Sequence, residues 1–324
     1  MQVTEPNGVH KVVVLGTGGT IAGASALPGD DRHYQAGQIG VDQLLQHLPK
    51  LPASVVLVAE QVAQVDSKDM APALWLQLGR RVAHWLAQAD VAGVVITHGT
   101  DTLEETAYFL HATLPASAKP VVLTCAMRPA TSLAPDGPQN LRDAVTVALH
   151  PGAQGVLAVC AGTLHGALDV QKLHTSRLDA FSSGDAGVLG KICGHRLFLM
   201  RNWPQAQVKP CDLAIENIAS DADWPQVDIV TSHAGADGRV VDALVAQGVR
   251  GIVVAGTGNG TVHQALEAAL LRAQALGVVV WRSTRCALGP VSPRPDAALP
   301  DAAGLSPVKA RIALALELLA CSPR

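Results

Sequence analysis

The sequence predicts an α/β protein of two domains, each a mainly parallel sheet flanked by helices, with the larger domain first. Three observations lead there. Short β-branched runs alternate with apolar patterns of helical period. Several runs are apolar at consecutive positions, as strands covered on both faces require. The alternation breaks once, from Gly184 to Trp224, and then resumes to the end of the chain. Alternating strand and helix builds right-handed βαβ units and hence a parallel sheet.

The elements follow in order. Lys11–Leu15 (KVVVL) and Val55–Val58 (VVLV) read as strands. Leu74, Trp75, Leu78, Val82, Trp85 and Leu86 then share one helical face. Val91–Thr97 is the third strand, and a helix spans Leu103–Leu114. Pro120–Thr124, a helix carrying Leu141, Val145, Ala148 and Leu149, and Gly155–Val159 complete the run. Within the break, Gly187–Ile192 and Arg196–Arg201 can pair as a hairpin. Beyond it come strands at Val227–Ser232, Gly251–Ala255 and Gly277–Trp281, with Leu266, Ala269, Leu270 and Ala273 on a helix between the last two. Gly289–Pro307, rich in Pro and Ala, reads as a loop before a final helix. The expected division is residues 1–203 for the first domain, 204–224 for a linker and 225–324 for the second.

Composition narrows the class of function. A hydrophobic content of 48% over 324 residues can bury a substantial core. A net charge of −3 gives no broad field for nucleic acid or for an anionic membrane. No stretch has the length and apolarity of a membrane-spanning helix, and the opening MQVTEPNGVHK lacks the pattern of a secretory signal. Cys125, Cys160, Cys193, Cys211, Cys286 and Cys321 are scattered without a CxxC motif, so reduced thiols and a cytoplasmic location are expected.

In open parallel sheets, ligands bind beyond the carboxyl ends of the strands. Those ends here carry Gly16-Thr17-Gly18-Gly19-Thr20, then Asp66-Ser67-Lys68-Asp69, then His98-Gly99-Thr100-Asp101-Thr102, and later Gly256-Thr257-Gly258-Asn259-Gly260. The first glycine loop fails the GxGxxG test, because Ile21 stands at the third position, and no GKS or GKT follows. Single residues have plain structural readings. Asp101 or Thr102 can cap the helix at Leu103, Ser67 or Asp69 can cap the Trp75 helix, and His98 reads as a structural hydrogen-bonding group. Taken one at a time these leave the recurrence of hydroxyls and acids at three strand ends unexplained. A hydroxyl becomes a nucleophile once a base takes its proton. Thr20 and Thr100 offer hydroxyls, Asp101 a carboxylate, and Lys172 is a candidate amine, although on spacing alone it reads as a surface lysine.

Leu15–Gly23 (LGTGGTIAG) and Gly93–Leu103 (GVVITHGTDTL) resemble the two signature motifs of the bacterial-type L-asparaginase/glutaminase family. Asp66–Met70, Asp136–Leu141 (DGPQNL), Gly258–Gly260 and Val308–Arg311 resemble further motifs of that family, so the likeness runs over nearly the whole chain. The resemblance implies two α/β domains and hydrolysis of L-asparagine to L-aspartate and ammonia through an acyl-enzyme, with no metal or organic cofactor. Thr20 would be the nucleophile on a mobile loop and Tyr34 its partner there. Thr100, Asp101 and Lys172 would form a rigid second cluster. Ser67 and Asp101 would grip the α-carboxylate and α-amino groups, with Gly19 beside them; apart from the resemblance, the Lys68 ammonium next to Ser67 either strengthens attraction for the α-carboxylate, the reading taken here, or points to solvent. Asn259 would reach the amino group from a partner chain, which implies a homo-oligomer, most simply a tetramer of two dimers. This chain departs from the family pattern at Lys68, where high-affinity members commonly carry Gln, and in having no glutamate between Arg285 and Leu305. These departures leave substrate affinity and any side activity on L-glutamine open; the alternatives to an L-asparaginase are an enzyme of mixed asparaginase and glutaminase specificity and, from another class, a non-catalytic amino-acid-binding protein on the same fold.

Overall fold

A computed structural model of the protein describes residues 10–27, 29–31, 33–46, 48, 51–194, 196–204, 213–221, 224–294 and 297–321. The chain divides into two compact units, Met1–Gln207 and Val208–Arg324. Cys211 and the stretches 205–212 and 222–223 of the expected linker lie outside the described residues. The rest of that linker includes a single 3₁₀ turn, Ile215–Asn217, in which Ile215 is fully buried.

In the first unit the strands are β1 (His10–Gly18), β2 (Val55–Val65), β3 (Val91–Thr97), β4 (Pro120–Thr124), β5 (Gly155–Cys160), β6 (Thr163–Gly166), β7 (Gln171–Lys172), β8 (Phe181–Ser182), β9 (Gly190–Cys193) and β10 (Arg196–Leu199). The helices are α1 (Val41–Gln46), α2 (Pro72–Leu86), α3 (Leu103–Thr113) and α4 (Gly137–Ala148). Eight strands form one sheet in the order β10-β9-β6-β5-β4-β3-β1-β2. From β2 to β5 the pairing is parallel, and β6, β9 and β10 extend the sheet antiparallel. β7 and β8 make a separate two-stranded ribbon.

The parallel centre is where the apolar runs lie. Val12, Val14, Val95, Val122, Leu157 and Val159 face a core completed by Leu141, Ala144 and Val145 of α4. The alternate residues Val13, Leu15, Val94, Ile96, Val121 and Leu123 are buried as well, so the central strands are covered on both faces. On α2 and α3, Trp75 stacks on Phe109 with ring centroids 5.4 Å apart. β2, at the edge, is only partly buried along most of its length. It runs well beyond the expected Val58 because its pairing with β1 continues to Gly18↔Val65 after a register shift.

Two capping expectations change. α2 begins at Pro72 with Ala71 at its N-cap and no side-chain cap, so neither Ser67 nor Asp69 caps it. Pro at a first helical position lacks the N–H that a cap would have to satisfy. Asp66 instead caps the 3₁₀ turn Ser67–Asp69 by accepting the Lys68 N–H. Thr102 does occupy the N-cap position of α3, but its side chain makes no capping bond. Its hydroxyl donates to the Ser67 carbonyl at 2.8 Å, a partner brought in from another strand end.

The second unit holds a three-stranded parallel sheet, β11 (Val227–Thr231), β12 (Gly251–Gly256) and β13 (Val279–Thr284), in that order. Its helices are α5 (Arg239–Ala246), α6 (Gln264–Ala275) and α7 (Pro307–Cys321). Val241, Ile252, Val254, Leu266, Ala269 and Leu270 form a core on one face of the sheet. Val253, Ala310, Leu314 and Ala315 form one on the other. β13 begins two residues later than the expected Gly277, because Gly277 sits at φ 92° in the turn that leaves α6.

Candidate active site

Strand order decides where a site can form. The chain steps from β1 outward to β2, then crosses back to β3 on the other side of β1. The strand order therefore reverses between β1 and β3, and the crevice at such a switch point is where open α/β sheets bind ligands. Gly16 of β1 pairs with Thr97 of β3, so the loops after both strands leave the sheet side by side. The Thr17 hydroxyl donates to the Thr97 carbonyl at 2.9 Å and ties the two ends together.

Gly19 and Gly99 bring the loops into backbone contact. A Cβ on Gly19 would fall on the Cα and N of Gly99 and lie 2.9 Å from the His98 carbonyl carbon. Gly19 also holds φ 77° and ψ −172°, a region essentially restricted to glycine. Its N–H donates to the Val65 carbonyl at 2.8 Å, which adds the end of β2 to the junction. Thr20 and Thr100, each the next residue along, leave that contact together.

Thr20 starts the 3₁₀ turn Thr20–Ala22 and is largely buried. The loop after it folds back through a bridge between Ala24 and Gln35, which returns Tyr34 to its start. Gly23 makes room, since a Cβ there would lie 2.8 Å from the Tyr34 ring. Thr20 Oγ1 and the Tyr34 hydroxyl then hydrogen-bond at 2.7 Å.

On the other side of the contact stand Ser67, Thr100, Asp101 and Lys172. The Lys172 ammonium donates to Thr100 Oγ1 at 2.8 Å and to Asp101 Oδ1 at 2.7 Å. An ammonium is only a donor, so Thr100 accepts from it and keeps its own O–H to give elsewhere. Asp101 N–H donates to Ser67 Oγ at 3.2 Å. Ser67 and Thr100 are nearly inaccessible, whereas the Asp101 carboxylate is about half exposed and free to meet a solute. Lys172, which on spacing alone read as a surface lysine and by family resemblance as a cluster member, stands within hydrogen-bonding distance of Thr100 and Asp101.

Lys68 follows Ser67 in the 3₁₀ turn after β2. Its ammonium pairs with Asp69 and stands mostly in solvent. Asp69, with Asp66 and Asp101 farther off, holds its pKa above the ordinary lysine value. No hydrogen bond or ion pair joins it to Ser67 among the described residues. In the second unit, Asn259 Oδ1 accepts the Ser292 N–H at 2.7 Å, and Gly258 and Gly260 beside it hold positive φ.

His98 takes the structural role. Trp75 Nε1–H, a donor only, gives to Thr106 Oγ1 at 2.9 Å, and Thr106 Oγ1 lies 2.9 Å from His98 Nε2. The Gly99 carbonyl, an acceptor only, lies 2.8 Å from His98 Nδ1. Nδ1 must therefore carry the proton and Nε2 accept from Thr106. Complete burial lowers the His98 pKa from 6.5 to about 4, which keeps the ring neutral. The chain of bonds fixes the peptide that precedes Thr100.

Comparison with known proteins finds matches along most of the chain. The family model described as Asparaginase, N-terminal, matches residues 11–205, and that described as Glutaminase/Asparaginase C-terminal domain matches residues 226–321. L-asparaginase 2 of Bacillus subtilis is 38% identical over 97% of this chain and 84% of its own. Glutaminase-asparaginase of Pseudomonas fluorescens is 37% identical over 93% of this chain and 84% of its own. The crystal structure of a probable cytoplasmic L-asparaginase from Campylobacter jejuni superposes with a TM-score of 0.89 at 37% identity, covering 95% of both chains.

Proposed function

The chain belongs to the asparaginase/glutaminase family, and from that premise we propose that it hydrolyses L-asparagine to L-aspartate and ammonia, with Thr20 as nucleophile. The observation that carries the reading is the meeting of two hydroxyl pairs at the β1/β3 switch point: Thr20 with Tyr34, and Thr100 with Lys172. Thr20 Oγ attacks the side-chain amide carbon. Its proton passes to the Tyr34 oxygen across their 2.7 Å bond while the Tyr34 O–H protonates the departing nitrogen, so that ammonia leaves and Thr20 carries the aspartyl ester. Water then attacks the ester carbon, oriented by the O–H that Thr100 keeps free, and its proton returns to Thr20. The Asp101 carboxylate takes the substrate ammonium, and Ser67 faces its α-carboxylate.

The proposal extends to a homo-oligomer, taken as a tetramer, in which Asn259 of one copy serves the site of another. It extends also to a cytoplasmic location. Support for the latter is that Cys125, Cys160, Cys193, Cys286 and Cys321 are free thiols, and that the similar Campylobacter jejuni protein is described as cytoplasmic. The division into a catalytic domain ending near 203 and a second domain from 225 is part of the same reading, supported by family matches that end at 205 and resume at 226.

The test is ammonia release by the purified protein from L-Asn, D-Asn and L-Gln. Release chiefly from L-Asn is expected. Comparable rates on L-Gln would favour mixed specificity, to which the name of the Pseudomonas relative points. Binding of L-Asn without release of ammonia would make the protein a non-catalytic binder and overturn the proposal.

A further inference from the structure

A lysine side chain has four rotatable bonds, so the two ammonium bonds of Lys172 need a fixed backbone behind them. The segment that carries it is slight. β7 is two residues long and pairs only with β8, in a ribbon separate from the main sheet. Something must tie this ribbon to the turn after β3, from which Thr100 and Asp101 come. Glu104 is placed to do so. It stands in the first turn of α3, and its Oε1 accepts the backbone N–H of Lys172 at 3.2 Å. For an acid its burial is unusual, with 8% of the residue exposed. Burying a carboxylate is costly, and the N-terminus of a helix together with a donated N–H offsets part of that cost. One short segment, Thr100–Glu104, therefore holds Lys172 at both ends: Glu104 takes the main chain, and Thr100 and Asp101 take the ammonium.

We propose that Glu104 is a positioning residue for the reaction, setting where the Lys172 ammonium meets Thr100 without itself touching substrate. The inference rests on the reading of Lys172 as part of the active site. Displacing a group at a reacting centre by about 1 Å can cost on the order of a hundredfold in rate. Glu104→Leu, which removes the acceptor, lowers kcat by about ten- to a hundredfold and leaves KM nearly unchanged, because the Ser67 and Asp101 contacts persist. Glu104→Gln keeps an acceptor oxygen and recovers most of kcat. Glu104→Asp draws the oxygen back by one carbon and behaves like Glu104→Leu, which carries the test if the leucine variant does not fold.

The deciding measurement is kcat for these variants in the wild-type and Lys172→Met backgrounds. If Glu104 acts through Lys172, Glu104→Asp costs little once Lys172 is gone, since members of one unit are non-additive. An equal loss in both backgrounds, or full kcat in both the aspartate and leucine variants, overturns the inference while leaving the functional reading intact. Failure of the wild type to release ammonia from any amide removes the reading itself, and the inference with it.

Discussion

Gly19→Ala separates a catalytic junction from ordinary backbone strain, because the fold supplies its own control. Gly19 has φ 77° and ψ −172°, and Gly187 has φ 74° and ψ 164°, so the two glycines share one region of backbone space. That region is essentially closed to other residues and costs about 1–3 kcal/mol to occupy with a side chain. Their surroundings differ completely. A Cβ on Gly187 meets nothing within 4 Å, whereas one on Gly19 lands on the backbone of Gly99. Backbone held between β1 and β3 cannot rotate aside as a flexible side chain would, so Gly19→Ala adds overpacking of about 1–3 kcal/mol. The expected losses of stability are about 1–3 kcal/mol for Gly187→Ala and about 2–6 kcal/mol for Gly19→Ala. Activity should split more sharply. Gly187→Ala keeps kcat, and Gly19→Ala, which pushes Thr20 away from Thr100, loses on the order of a hundredfold or more. Urea titrations followed by tryptophan fluorescence measure the first effect, and ammonia release measures the second. Equal stability losses with turnover intact in Gly19→Ala would refute the claim that the Gly19–Gly99 contact aligns the two hydroxyls.

Four further outcomes are expected. Thr100→Val should cut turnover on the order of a hundredfold or more yet still allow slow acylation, so mass spectrometry after soaking with L-asparagine should find an aspartyl adduct on Thr20. The Thr20→Ala, Thr100→Val double variant should be little worse than Thr20→Ala alone, and an adduct on Thr100 in Thr20→Ala with sustained turnover would reverse the two roles. Lys68→Gln should change KM for L-asparagine by no more than about twofold, because its ammonium pairs with Asp69 in solvent; a rise of severalfold would place that charge at the substrate carboxylate. The neutral His98 makes folding sensitive to acid: as pH falls below 6.5 the unfolded chain takes up a proton that the folded one refuses until about 4. The contribution of His98 to stability is therefore fully present above 6.5 and falls by about 3 kcal/mol by the time pH reaches 4. Urea midpoints from pH 4 to 7 should show a shallower slope for His98→Gln than for the wild type, and equal slopes would exclude His98 as the cause.

Much of the fold was legible where burial is two-sided. β1, β3, β4 and β5 read directly from KVVVL, VAGVVIT, PVVLT and GVLAV, because a strand covered on both faces has no room for polar alternation. Weaker pressure left weaker signals. β6 went unread: it joins β5 through Ala161 and Gly162, at φ 48° and 67°, and alanine rarely announces a turn that needs two positive φ values. α1 and α5 are short, and the single buried residue of α5, Val241, makes no visible stripe. The expected hairpin in the break is present as β9 and β10, shorter than the apolar stretches suggested.

The same division runs through the candidate site. Local chemistry identified the hydroxyls and acids after β1, β2 and β3, because a polar cluster at the end of a buried strand stands out against its neighbours. Sequence alone also determined the family, through motifs that each lie within about ten residues of chain. The resemblance grouped Thr20 with Tyr34, and Thr100 with Asp101 and Lys172; the tertiary structure decided the bonds that hold each group. It turned the Thr102 hydroxyl from its own helix to Ser67, set the Lys172 ammonium against Thr100 across 72 residues of chain, and placed Glu104 behind it. The physical reason is range. Capping and strand formation are settled by neighbours a few residues away, whereas a hydrogen bond between distant segments depends on strand order and register, and no single stretch of sequence contains those.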